Sequence, residues 1–190
     1  MITRKSPFEL NRMRKAGEIT RLILGRIAAA VKPGITTQEL DELAEAAAKE
    51  FEVKPEFKGY QGFPASICTS VNDEVVHGIP GPRKLKAGDI VGLDFGVVYK
   101  GYYGDAAVTV GVGEIDPKHQ RLLAITREAL WKGIKEARAG NRLSAISRAI
   151  QEHVEGNGFS VVRDFVGHGI GQAMHEEPQV PNYVSPLNRY

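Results

Sequence analysis

The chain has 190 residues, 42% of them hydrophobic and 25% charged, and its 25 Lys and Arg against 23 Asp and Glu leave a formal charge of +2, too slight for a polyanion-binding surface, so no specific nucleic-acid partner is expected. No apolar run approaches the ~18 residues that a membrane span needs. The one cysteine, Cys68, cannot close an internal disulfide, and the N-terminal segment has no signal-peptide core, so one cytoplasmic domain over residues 1–190 is the expectation.

Ser6, Pro7 and Glu9 form a capping box that opens a helix, in which Leu10, Met13, Ala16, Ile19, Ile23, Ile27 and Val31 recur at three or four residue steps until Pro33 and Gly34. Thr36 and Glu39 repeat the device, and the second helix turns Leu40, Leu43, Ala47 and Phe51 inward before Pro55. Alternation then predicts strands in "ASICTSV", "EVVHGI", "DIVGLDFGVVY" and "YYGDAAVTVGV", with a hairpin turn near Lys100 and Gly101 joining the last two. A third helix starts at Asp116 and Pro117, carries Leu122, Ala129, Leu130 and Ile134 on its inner face, and ends by Gly140. A fourth, with Leu143, Ile146, Ile150 and Val154 inward, stops at Gly156 or Gly158 and leads into a strand, "FSVVRDF". His119 and His153 fall on polar helix faces and are expected in solvent. The order of long helix, glycine, shorter helix and strands occurs twice, with Gly34 matching Gly140, as a duplicated half-domain would show. On that pattern the second half's own hairpin falls beyond Tyr190.

Chemistry concentrates on the predicted hairpin. Val91, Leu93, Phe95 and Val97 share one face of its first strand, while Asp94 shares the other with Gly92 and Gly96. In its second strand Ala106, Val108, Val110 and Val112 share one face, and Asp105 lies with Tyr103, Ala107 and Thr109 on the other. An even-length turn sets positions summing to 199 or 201 opposite one another, which places Asp94 across from Asp105 or diagonal to it. Neighbouring half-buried carboxylates must share a proton or bind a cation; the plainer alternative puts them in solvent at a sheet edge. The flanking small residues favour a pocket. In "VGHGIGQAMHEEP", His168 sits among glycines that let ligand and backbone approach, which suits a metal ligand. His77 and His175 are open to either a hydrogen-bonding or a catalytic role.

Four blocks, "GYQGFPASICTSVN", "SVNDEVVHGIP", "DIVGLDFGVVYKGYYGDAAVT" and "FVGHGIGQAMHEEPQVPNY", closely resemble type I methionine aminopeptidases, in order and spacing, to about Tyr183. Without an N-terminal zinc-finger extension or a long helical insert, the chain is similar to the short bacterial subtype. The resemblance implies an α+β pita-bread fold with pseudo-twofold duplicated halves, the second incomplete. It implies two divalent ions (Co, Mn, Fe, Zn or Ni), with Asp94 chelating one, Asp105 bridging both and His168 on the second. His77 and His175 would contact the scissile peptide and stabilise its oxyanion, and Tyr60, Phe63 and Cys68, with Phe57 and Met174 nearby, would line a pocket for a thioether. The implied activity is removal of the initiator methionine from a nascent polypeptide by a monomer, through attack of a metal-bridging water on the first peptide bond. "PRKLK", residues 82–86, would either face the ribosome or form a solvated loop. The family draws two further glutamate ligands from strands after "QVPNY"; neither has a counterpart here, which implies weak metal binding and little peptidase activity in a truncated form. Two alternatives stand beside this one: an X-Pro peptidase of the same fold, and a catalytically dead pita-bread binding module.

Overall fold

The computed structural model describes residues 2–185. They form two compact units, one of Arg4–Asp116 with Ile170–Met174, the other of residues 2–3, Pro117–Gly169 and residues 175–185. Of the tail "VSPLNRY", residues 186–190 lie outside the described residues. Among the described residues no helix is long and apolar enough to cross a membrane.

In the first unit, α1 (Pro7–Ala30) and α2 (Thr37–Glu50) both begin with the expected capping boxes. The Ser6 backbone N–H donates to Glu9 at 2.8 Å, and that of Thr36 donates to Glu39 at 2.7 Å. Each box occupies backbone donors that a helix N-terminus otherwise leaves unpaired. The four-stranded sheet is antiparallel, with β3 (Ile90–Tyr99) at its centre and β4 (Tyr102–Gly111) on one side. On the other side, β1 (Lys54–Pro55) and β2 (Cys68–Val71) share β3. Val91, Leu93, Phe95 and Val97 are fully buried as their alternation requires, in one core with Ile19, Ile23 and Ile27 of α1 and Leu40 and Ala44 of α2. α1 packs on β3 and β4. A Cβ added to Gly104 would stand 2.7 Å from the Ala16 carbonyl carbon, so a bare backbone is what lets α1 approach at that point. Leu10, expected inside, is 39% exposed, because the buried stripe of α1 starts only at Ala16.

The β3–β4 turn has two residues, Lys100 and Gly101, both with positive φ, the requirement of a type I′ hairpin. It sets Tyr99 opposite Tyr102, and therefore Asp94 opposite Ala107 and Gly96 opposite Asp105. Two predicted elements differ here. "EVVHGI" is a loop: Glu74 closes a turn by accepting from the Val71 N–H at 2.9 Å, Val75 and Ile79 are 61% and 62% exposed, and His77 has φ 60°. Its alternation has no buried face to serve. On β4, Ala106 and Val108 are exposed instead of core-facing, since among the described residues β4 pairs only with β3.

In the second unit, α3 (Pro117–Glu136) packs on α4 (Leu143–Gly156). The contact runs through small residues: Ala129, Gly133 and Ser147 are buried, and a Cβ on Gly133 would stand 2.9 Å from Ile150. That stripe displaces the predicted one, so Leu130 and Ile134 are about half exposed. His153, expected in solvent, is 15% exposed at its side chain and meets Glu128 at 2.9 Å; His119 is partly buried. "FSVVRDF" is irregular, and the strands instead are β5 (Gly167–Gly169) and β6 (Glu176–Val180), paired antiparallel with His168 opposite Gln179. Gly34 and Gly140 share a left-handed backbone, with φ of 92° and 93°, which accords with the repeat read from the sequence.

Candidate metal centre

The carboxylates of Asp94 and Asp105 are diagonal neighbours on the face of β3 and β4 that carries Gly92 and Gly96, and their side chains are hydrogen-bonded to each other. Burial, and then the charge of Asp105, pushes the Asp94 carboxyl well above the usual carboxylate range. Two partly buried acids sharing a hydrogen bond must hold a proton between them. Cys68 lies opposite Asp94 on the other side of β3, 4% exposed. Its thiol is pushed up to about 12 by burial, with Asp94 and Asp105 adding to the effect, so it is neutral in any physiological buffer.

A third acid stands here that nothing in the sequence flags. Glu56 follows β1, is 6% exposed, and donates its backbone N–H to the Gly96 carbonyl at 3.0 Å. Its side chain fills the room over Gly96, where a Cβ would collide with the carboxylate. Neither carboxylate oxygen has a hydrogen-bond partner among the described residues. Burial, then Asp105, then Asp94 raise its pKa to about 8. Only the register of β1 against β3 reveals it, because an isolated Glu in "KPEFKG" reads as a solvated loop residue.

These donors suit a divalent cation: hard carboxylate oxygens, crowded past what like charges tolerate, with one acid wholly unpaired. As placed, no three His, Cys, Asp or Glu side chains among the described residues stand close enough to hold a metal ion.

The other expected residues divide between the units. His77 is exposed in the loop after β2. Phe57, Cys68 and Met174 form a small buried cluster against which Phe63 packs, and the Phe57 and Phe63 rings meet edge to face at 6.4 Å. Tyr60 is in the same turn, with the Phe63 N–H donating to its carbonyl at 2.9 Å, and is 39% exposed. All of these, with Asp94 and Asp105, belong to the first unit. His168 and His175 belong to the second, their ring centres 4.2 Å apart. The His168 Nδ1 lies 2.9 Å from the Gly169 carbonyl. A carbonyl only accepts, so Nδ1 carries the proton and Nε2 is the Lewis-basic nitrogen.

Residues 11–189 match metallopeptidase family M24. Methionine aminopeptidase from Clostridium acetobutylicum is 52% identical over 187 residues, covering 98% of this chain and 75% of that protein. Methionine aminopeptidase 1 from Bacillus subtilis is 53% identical over 186 residues with the same shares covered. Among solved structures, methionine aminopeptidase from Thermotoga maritima aligns with a TM-score of 0.95 at 48% identity, over 98% of this chain and 76% of that one. Prolidase from Pyrococcus furiosus, 21% identical with a TM-score of 0.79 over 94% of this chain and 52% of that one, shares the fold. The fold is thus the α+β pita-bread fold expected from the sequence. From the match along most of its length, the chain belongs to metallopeptidase family M24, a family that works with divalent metal ions.

Proposed function

We propose that this chain removes the N-terminal methionine from nascent proteins in the cytoplasm, as a monomeric metal-dependent aminopeptidase acting over residues 1–190 as one functional domain. The observation that carries the proposal is the partly buried, mutually hydrogen-bonded Asp94–Asp105 pair on a glycine-cleared face, in a chain about half identical to relatives named methionine aminopeptidase. Asp94, Asp105 and the Nε2 of His168 would hold the divalent ions; Co, Mn, Fe, Zn and Ni all accept such donors. Bound ions would polarise the scissile carbonyl and make water a nucleophile near neutral pH. To hold them, Asp94 and Asp105 release the proton they share. His77 and His175 donate to the peptide oxygen as negative charge develops on it. Phe57, Phe63, Cys68 and Met174, with Tyr60 at the rim, take the methionine side chain, and the un-ionised Cys68 thiol keeps that lining apolar and polarizable. In "PRKLK", Arg83 is engaged by Glu74 at 2.7 Å, which leaves Lys84 and Lys86 to face the ribosome.

The test is release of free methionine from a Met-Ala-Ser peptide with added Mn²⁺ or Co²⁺. Release should stop in excess EDTA and fall by at least a hundredfold in Asp105→Asn. Equal release from an Ala-Ala-Ser peptide, or none with saturating metal, would overturn the assignment.

A further inference from the structure

We infer that Glu45 is a positioning residue for the methionine pocket: its carboxylate clasps both ends of the loop 58–66, which carries Tyr60 and Phe63, and so sets which side chains the pocket admits. The inference rests on the proposed removal of methionine. A single oxygen, Oε1, joins the two ends. It accepts from the Lys58 ammonium at the start of the loop and from the Ser66 hydroxyl, at 3.1 Å, at its end. Asp41 stands one turn earlier on α2, on the same face, and accepts the backbone N–H groups of Ser66, at 2.7 Å, and Ile67, at 3.2 Å. These anchors adjoin the pocket in sequence: Lys58 follows Phe57 and Ile67 precedes Cys68, two residues whose side chains are buried together with Met174.

The loop's own bonds give it a shape. Residues 58–62 are exposed, and Gly59, Gln61 and Gly62 have φ of 86°, 47° and 83°. The Gly59 N–H donates to the Phe63 carbonyl at 2.8 Å and the Tyr60 N–H to that of Phe57 at 2.9 Å, which closes a tight turn. Where that turn stands over the pocket is a separate matter, and α2 supplies the reference. Ala44, Ala47 and Ala48, which flank Glu45, are buried in the core, so the clasp is built on a packed element. A role in stability alone accounts poorly for it. The Lys58 and Glu45 side chains are 53% and 40% exposed, and exposed ion pairs add little to folding stability. What tying both ends to one oxygen does is restrict the Tyr60 and Phe63 rings between them. A ring held in place admits the unbranched methionine side chain and turns away one that branches at Cγ, as leucine does.

The experiment compares kcat/KM for methionine release from Met-Ala-Ser with that for leucine release from Leu-Ala-Ser, at saturating Mn²⁺, in the parent full chain, Glu45→Ala and Glu45→Gln. A smaller folded fraction lowers both rates by one factor and leaves their ratio alone, so the ratio reads the pocket and not stability. Glu45→Ala should lower the methionine-to-leucine ratio by about fivefold or more and raise KM for Met-Ala-Ser. Glu45→Gln, whose amide oxygen still accepts from Lys58 and Ser66, should hold the ratio within about twofold of the parent's. An unchanged ratio in Glu45→Ala would make Glu45 structural and overturn the inference, while leaving a methionine-selective parent's function standing. A ratio as low in Glu45→Gln as in Glu45→Ala would overturn the clasp as well. If the parent releases no methionine, or releases alanine from Ala-Ala-Ser as fast, the proposed function falls and this inference with it.

Discussion

At the scale of residues, the acids over Gly96 set how the metal-free chain responds to pH. Glu56 is raised from an ordinary 4.5 to about 8, by burial and then by Asp105 and Asp94, and Asp94 is also raised, by burial first. Each holds its proton more tightly in the folded state than in the unfolded chain. Stability is therefore highest below about pH 4.5 for these groups and falls as pH climbs toward 8, by an amount on the order of a few kcal/mol. The capping carboxylates Glu9 and Glu39 shift the opposite way, held down by hydrogen bonds from Ser6 and Thr36, but their contribution is already in place above about pH 5 and stays constant across that window. Melting in EDTA should thus drop steadily between pH 5 and 8, and Glu56→Gln should flatten the slope; a melting temperature that rises across this window would contradict the assignment. Asp94 and Asp105 could be read from sequence because glycine and alanine alternate with them. Glu56 could not, because a single charged residue carries no local sign of the strand register that buries it.

At the scale of elements, what could be read was whatever a few adjacent residues decide. Ser6 with Glu9, Thr36 with Glu39 and Lys100 with Gly101 each fix backbone geometry within four positions, and all three appear where expected. "EVVHGI" and "FSVVRDF" carry strand-forming residues yet form no strand, because a strand also needs a partner edge, and that is decided elsewhere in the chain. The same contrast separates two glycines at the contact of α1 with β4. A Cβ on Gly17 meets nothing within 4 Å, whereas one on Gly104 would press into the backbone of Ala16 and Gly17, where Thr20 also donates to the Gly104 carbonyl at 3.1 Å. Gly17→Ala should stabilise the chain by about 0.5–1 kcal/mol, the gain of alanine over glycine within a helix. Gly104→Ala should destabilise it by about 1–3 kcal/mol through overpacking. Urea unfolding of both variants checks the pair, and equal effects of the same sign would mean that α1 does not lie against Gly104.

At the scale of the whole molecule, the two units bury very different amounts of apolar side chain. The first packs α1 and α2 on the sheet around seventeen buried residues, from Ala16 to Val112. In the second, α3 and α4 bury only Ala129, Gly133 and Ser147, and Leu130, Trp131 and Ile134 are each about half exposed. Periodicity located both helices correctly but placed Leu130 and Ile134 inside, because it reports which residues could share a face and not which face a neighbour takes. Here the neighbour takes the small-residue stripe, where Gly133 admits Ile146 and Ile150. Close backbone approach through small residues removes little apolar surface from water, and burial of such surface is the main source of local stability. Peptides from residues 117–156 should therefore exchange amide hydrogens faster than those from 16–27 and 90–99, in hydrogen-exchange mass spectrometry of the native chain. Equal or slower exchange in α3 and α4 would require a source of stability other than apolar burial.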